Sequence, residues 1–412
     1  MLRNSQCEGI HITEQISDIT ALLFADDLLM ISDTVNGLQK KLNVLQKYCL
    51  KWNLSVNMDK SKVVVFKRGG AIAGTEKWMF NGKPMDVESY YKYLGTTFSC
   101  RLKWTQCCKL LALQARKALN MLKHSLKILN NRDPKVCFKL FDSIIVPILT
   151  YGAEVWGTDI NEEIEAVQND FCKWILGISK KATNIMARGE CGRLPLNVIY
   201  MIKPVKYWLK IQNMETTRYP RQCFEMLYNL DLCSNRSTPN WVSKLKSVLN
   251  HYGFGDVWLS GGPGDPKVFM SELNQRVRDC ALQDWNSKLD NSPKCAFYVM
   301  FKKQLACESY LTFLSYPLKQ ALASFRCVLR SFEENQENII HVTFTISKNV
   351  LQSYRWNRTK EVDRTVNATN RSGTESSDRG PSQYRIHNES QRMPILITKP
   401  RNQKKQHEKI RS

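Results

Sequence analysis

Residues 19–32 read ITALLFADDLLMIS, and two adjacent aspartates, Asp26 and Asp27, stand in the middle of this most apolar run of the chain. An ionised carboxylate taken out of water without a partner is costly, or it takes up a proton. The apolar residues on either side are each enough for one strand, so the run predicts two buried strands with Asp26-Asp27 at the turn between them. Three arrangements satisfy such a pair. The turn can face solvent, with Asp chosen for its turn chemistry. The pair can hold a divalent metal, since hard cations favour carboxylate oxygens. One carboxylate can also stay protonated and act as an acid.

Beyond the hairpin the segments alternate strand and helix. Residues 36–52 space Leu38, Leu42, Leu45 and Cys49 at four, three and four, which is one apolar helical stripe. KSKVVVFKRG then predicts a short strand, and WMFNGKPMDV and YYKYLGTTF predict hairpin strands around turn residues. From residue 101 the pattern is mainly helical. Residues 104–129 repeat Leu111, Ala115, Ala118, Leu122 and Leu129 on one face, with Lys109, Arg116, Lys123 and Lys127 on the opposite one. Residues 101–129 hold seven basic side chains and no acidic one. Solvated faces usually mix signs, so this helix reads as a surface that tracks phosphates. Two further helices are expected within 134–178, the first from an Asp-Pro start signal.

The balance of the 412 residues is 60 Lys+Arg against 38 Asp+Glu, a net charge of +22, which points to a polyanionic partner and above all to nucleic acid. The 14 cysteines form no Cys-x-x-Cys pair and the six histidines no His-x3-5-His pair, so neither a zinc site nor a disulfide framework is expected. The apolar run VCFKLFDSIIVPILT carries Lys139 and Asp142 and is too short to span a bilayer. The first residues lack the apolar core of a secretory signal, so the expectation is an intracellular protein, not secreted and not membrane-bound. Residues 351–412 hold 14 basic and 6 acidic residues with few apolar ones, and the tail 331–412 is expected to be disordered.

FADD between apolar strands resembles the active-site hairpin of reverse transcriptases, specifically those of non-LTR (LINE-type) retrotransposons. The order of the segments downstream of FADD strengthens the resemblance. LSVNMDKSKVVVF is similar to the family's Asn-x-x-Lys-Ser/Thr segment, and YKYLGTTF to its primer-grip strand. PILTYGAEVWG and the stretch from VQNDFCKWILG to RGECGRLPLN look like the helical region beyond the palm. The resemblance implies an α+β fold: the end of a polymerase palm (β-hairpins plus a helix) over residues 1–100 and a helical thumb-like region over 101–195. A helical C-terminal region over 196–330 and the basic tail complete the chain.

It also implies roles. Asp26 and Asp27 match the pair that binds Mg2+, with Asp26 the direct ligand, and Lys60 the palm lysine near the leaving pyrophosphate. Tyr93, Leu94 and Gly95 match the grip on the primer end. The implied partners are an RNA template and a DNA primer, and the implied action on chromosomal DNA adds a nuclear phase. In the family a third carboxylate and the fingers lie well upstream of FADD. Glu8, Glu14 and Asp18 are too close to the hairpin to replace them. The expectation is therefore a polymerase fragment that binds Mg2+ weakly and does not polymerise alone. The alternative is a non-catalytic RNA- or DNA-binding protein of transposon origin.

Overall fold

The computed structural model describes residues 9–10, 19–67, 70, 76–130, 132–233, 239–328 and the backbone of 395–400. Glu8, Glu14 and Asp18 lie outside the described residues, as does most of the tail. The FADD run folds as the hairpin β1 (Ala21–Phe24) and β2 (Asp27–Ile31), with Phe24 opposite Asp27, so that Ala25 and Asp26 form a two-residue turn. Helix α1 (Val35–Lys51) starts where Thr34 caps it: the Thr34 hydroxyl accepts from the Gly37 N–H at 3.0 Å. Its buried Leu38, Leu42, Leu45 and Cys49 are the expected stripe.

Strand β3 (Lys62–Phe66) comes next, then β4 (Met79–Phe80), β5 (Lys83–Pro84), β6 (Val87–Glu88), β7 (Tyr90–Tyr93) and β8 (Thr96–Ser99). Asn81-Gly82 and Leu94-Gly95 turn the β4–β5 and β7–β8 hairpins, and all four residues have positive φ. That is the two-residue turn whose twist matches paired strands.

The main sheet has the order β1-β2-β9-β3-β6. Strand β9 (Ile395–Pro400) comes from the tail, which composition alone predicts to be disordered, and it runs parallel to both β2 and β3. The crossover β2–α1–β3 thus leaves a one-strand slot, and the tail backbone fills it. Alternate residues of β2 and β3 face opposite ways. Leu28, Met30, Val63 and Val65 pack under α1, whereas Leu29 and Val64 pack against Tyr91 and Tyr93 of β7.

The remainder is helical and shares one large core. Helix α2 (Thr105–Ile128) leads into α3 (Pro134–Leu140), whose Asp133 cap and Pro134 bear out the start signal. A π-helical turn at Phe141–Ile145 continues into α4 (Val146–Leu149), so this predicted helix runs on through a π-helical turn. Then come α5 (Ala153–Trp156), α6 (Glu162–Leu176), α7 (Asn184–Glu190), α8 (Asn197–Tyr200), α9 (Ile202–Gln212) and α10 (Tyr219–Cys233). The helices α11 (Trp241–His251), α12 (Gly255–Leu259), α13 (Pro266–Asp290), α14 (Ala296–Val299), α15 (Tyr310–Phe313) and α16 (Tyr316–Val328) complete the series.

Among the described residues every cysteine is a free thiol, and no helix is long and apolar enough to cross a membrane. Leu129 departs from its expected place in the α2 stripe. It lies one residue past the helix end and is 72% exposed, and Leu126 is buried on that face instead.

Candidate functional site

The expectation that both strands of the FADD hairpin are buried is corrected at β1. Leu23 is 73% and Phe24 63% exposed, because β1 is the outer strand of the sheet and runs past its cover. Asp26 is exposed at the tip, so its charge is met by water rather than by a buried partner. Ala25 has φ 52°, a left-handed conformation disfavoured for a residue with a Cβ.

Asp27 is half-buried and falls on the same face of β2 as Leu29 and Ile31, the face covered by Tyr91 and Tyr93. Its carboxyl is raised above the usual aspartate range, first by burial and then by the negative charge of Asp26. Burial also raises the Tyr91 and Tyr93 hydroxyls, and the Asp27 charge adds to both shifts.

A raised carboxyl means that the folded chain holds more proton than the unfolded chain near that pKa. Asp27 therefore weighs against stability once pH rises above its folded value, and this cost is absent below the unfolded value of about 4. Asp27→Asn is accordingly expected to raise the melting temperature at pH 7, by an amount that shrinks as pH falls through the raised folded value and is gone below about 4. Melting curves across that range check it, and a gain that grows with acidity contradicts it.

One cavity of about 620 Å³ gathers the residues that the sequence places far apart. Asp27, Lys60, Tyr93, Leu94 and Gly95 all line it, together with Asp59, Lys62, Tyr91 and Leu110. Lys60 is presented by a local turn. The Asn57 side-chain oxygen accepts from the Asp59 N–H at 3.1 Å and the Lys60 N–H at 3.3 Å, and the Ser61 hydroxyl donates to the Asn57 carbonyl at 2.7 Å. This is why Asn stands three residues before Lys: its carboxamide closes the turn that puts the lysine at the cavity. The Tyr91 hydroxyl donates to the Lys60 carbonyl at 2.6 Å, and so ties β7 to that turn. Lys62 is paired with Asp86 at 2.5 Å.

Asp59, Lys62, Tyr91 and Leu110 are cavity residues that sequence reasoning does not single out, and Asn57 reads there only as part of the Asn-x-x-Lys-Ser/Thr segment. The alternation of Tyr91 with Tyr93 was the available signal for Tyr91. Nothing local marks Lys62 as different from its neighbours.

The four basic residues expected on one face of α2 divide in two. Lys109 and Lys127 are exposed. Arg116 is ion-paired with Asp170 of α6, and Lys123 lies over the Trp174 ring at 5.7 Å, with its ammonium pushed below the usual lysine range chiefly by burial. The free face of α2 carries Lys117 and His124 beside Lys109 and Lys127, along with exposed Leu113, Met121 and Ile128.

Asp26 and Asp27 can offer hard oxygen donors to a cation, which would offset the burial and the Asp26 charge that raise Asp27. Among the described residues no group of three or more His, Cys, Asp or Glu side chains gathers to hold a metal.

A family profile described as "Reverse transcriptase (RNA-dependent DNA polymerase)" matches residues 6–98. The chain is 28% identical over 169 residues to a transposon-derived protein of Caenorhabditis elegans, which covers 39% of this chain and 58% of that one. It is 23% identical over 158 residues to the RNA-directed DNA polymerase from mobile element jockey of Drosophila melanogaster, covering 37% of this chain and 17% of that protein. A Drosophila melanogaster protein named as a probable RNA-directed DNA polymerase from transposon BS is 24% identical over 151 residues, 35% of this chain and 17% of its own length. The matches thus span little more than half of the first relative and about a sixth of the other two. No solved structure matches the chain significantly. Residues 6–98 are therefore similar to reverse transcriptases, and the chain is similar in part to RNA-directed DNA polymerases of mobile elements.

Proposed function

We propose that this chain is the part of an RNA-directed DNA polymerase that carries the FADD hairpin and the helical body beyond it, corresponding to the end of the palm and a thumb-like region. The observation that carries the reading is the single cavity shared by Asp27, Lys60 and the Tyr93-Leu94-Gly95 turn. In this reading Asp26 and Asp27 hold Mg2+, which supplies charge neutralisation and alignment for phosphoryl transfer. Lys60 faces the departing pyrophosphate as a cation or proton donor. The β7–β8 turn steadies the primer end. Lys109 and Lys127, on the free face of α2, meet phosphates of an RNA template paired with a DNA primer.

The two carboxylates bind Mg2+ weakly by themselves, since this ion keeps its waters and demands ordered ligands. The missing ligand and the fingers come from a segment other than the described residues. The protein acts inside the cell, with a phase on chromosomal DNA.

A non-catalytic RNA- or DNA-binding role is the second reading, favoured because no group of three or more metal-ligating side chains gathers around a cation site among the described residues. Asp26→Asn with Asp27→Asn separates the two, because a binder keeps its function and a polymerase loses it.

The reading is tested by titrating the full chain with a DNA primer annealed to RNA at several salt concentrations. Replacing Lys109 and Lys127 by Gln is expected to flatten the log–log salt slope by about 1.5–2, from the loss of two phosphate contacts. Arg116→Gln should change it less, because that guanidinium is already paired with Asp170. An unchanged slope in the double variant would show that α2 does not meet the duplex.

A further inference from the structure

We infer that Tyr151 is a positioning residue for the Tyr93-Leu94-Gly95 turn, and through it for a primer end at the Asp27 cavity. The second half of this inference rests on the function proposed above; the docking of the turn stands on contacts alone. Leu94 and Gly95 are the two central residues of the β7–β8 turn, with φ 47° and 81°. Such a turn has no side chain at Gly95 to fix its outer surface, and the Tyr151 ring occupies that surface. A Cβ added at Gly95 would lie 2.8 Å from the ring, so the glycine is required both by its backbone conformation and by the aromatic neighbour. The Tyr151 hydroxyl donates to the Leu94 carbonyl at 2.8 Å.

The next residue repeats the close approach. Gly152 has φ 67°, and a Cβ there would lie 3.1 Å from the Thr96 hydroxyl oxygen. The Tyr-Gly pair at 151–152 is therefore keyed into the strand turn.

Tyr151 is itself anchored from the helical side. The Trp156 indole N–H donates to the Tyr151 carbonyl at 2.9 Å, and the Lys203 ammonium donates to the Thr150 carbonyl at 2.8 Å. Trp156 is buried in the main helical core and Lys203 lies on α9. The turn is thus held between two supports. From the sheet side, the Tyr91 hydroxyl ties β7 to the Lys60 turn. From the helical side, Tyr151 ties the turn to α5 and α9. Tyr151 is 49% exposed, so its ring is not a core side chain that happens to touch the turn. The height of Leu94 and Gly95 over the cavity that Asp27 lines is set by both supports. The phosphate-facing lysines of α2 do not depend on either.

The test uses the full chain, wild type and Tyr151→Phe, which keeps the ring and loses the hydroxyl. The probe is a DNA primer on an RNA template with 2-aminopurine either at the primer 3′ terminus or at an internal position. Matching melting curves of the two proteins confirm an intact fold. Tyr151→Phe is expected to bind the duplex within about twofold of wild type, because backbone contacts carry affinity. The fluorescence change of the 3′-terminal probe on binding is expected to fall to about half or less, with the internal probe unchanged.

Hydrogen exchange over residues 92–98, without nucleic acid, is expected to quicken by on the order of tenfold from loss of the one hydrogen bond. A wild-type chain that leaves the terminal probe unaltered overturns the proposed function, and with it the primer half of this inference. A wild-type response matched by Tyr151→Phe overturns the positioning role alone. Unchanged exchange over 92–98 overturns the docking itself, whatever the nucleic-acid result.

Discussion

Replacing Glu190 by alanine is expected to lower the free energy of unfolding by about 3–5 kcal/mol, the cost of breaking a buried charge pair by removing one partner. Glu190 ends α7 fully buried in the helical body. One carboxylate oxygen accepts from the Tyr310 hydroxyl at 2.5 Å and the other from the Arg326 Nε at 3.0 Å. Arg326 also lies 3.4 Å from Glu308, which in turn pairs with the buried Lys302. This network joins α7 to α15 and α16, elements more than a hundred residues further along the sequence, across the interior. Removing the carboxylate leaves the Arg326 guanidinium mostly buried beside a tyrosine hydroxyl that has lost its acceptor.

Urea unfolding followed by tryptophan fluorescence reads the effect directly. Trp285 lies against Gly189 next door, 3.0 Å from where a Cβ of that residue would sit, and reports on this region. The exposed Lys288–Asp284 pair is the control. Lys288→Ala should cost less than about 1 kcal/mol, since water already screens both partners. A Glu190→Ala loss as small as that control would mean that the network contributes nothing beyond packing. Adding Arg326→Met to Glu190→Ala should recover part of the loss, because the buried charge that lost its nearer partner is then gone.

Deletion of residues 391–412 is expected to abolish the slow hydrogen exchange of β2 and β3. Those strands do not pair with each other. Leu28–Ile31 and Lys62–Phe66 each find their partner in the parallel strand Ile395–Pro400. Met30, Val63 and Val64 are fully buried, so water cannot easily replace the lost backbone partners. Each buried group left unsatisfied costs about 1–3 kcal/mol. A handful of them rivals the whole stability of an ordinary domain, about 5–15 kcal/mol. The part of the chain built on α1 and this sheet should then lose cooperative unfolding, while the helical body from α2 to α16 keeps its own core. Peptide-resolved exchange distinguishes the two parts. Unchanged protection over 62–66 after the deletion would show that another segment can fill the slot.

The slot explains why residues 395–400 do not read as a strand. Their sequence, ILITKP, is a short apolar run inside a basic, polar stretch. Helix α1 declares itself through its four-three-four spacing, and the β4–β5 turn through Asn81-Gly82. Those signals arise within a few residues of backbone, where propensity and side-chain spacing act. A strand that pairs with partners hundreds of residues away leaves no such local mark, because its register is chosen by the edges it meets.

The candidate site shows the same division. The chemical groups of the proposed site were legible: the adjacent carboxylates in an apolar run, the lysine after Asn57, the tyrosine-leucine-glycine turn, and a helix with basic side chains and no acidic ones. That Asp27, Lys60 and the Tyr93-Leu94-Gly95 turn share a cavity was not, because the cavity exists only where β7 packs across β2 and β3.

The α2 basic residues show it most sharply. Spacing alone puts Arg116 and Lys123 on one face with Lys109 and Lys127. Helix α6 then sets the first two apart by bringing Asp170 to one and the Trp174 ring to the other. The sequence by itself determined the helices, the hairpin turns, the charge and the chemical groups, all properties of neighbouring residues. Only the tertiary structure decided which carboxylate is half-buried, which cations stay free for a ligand, and what holds the Leu94-Gly95 turn in place. Burial and pairing depend on elements that the chain brings together only on folding.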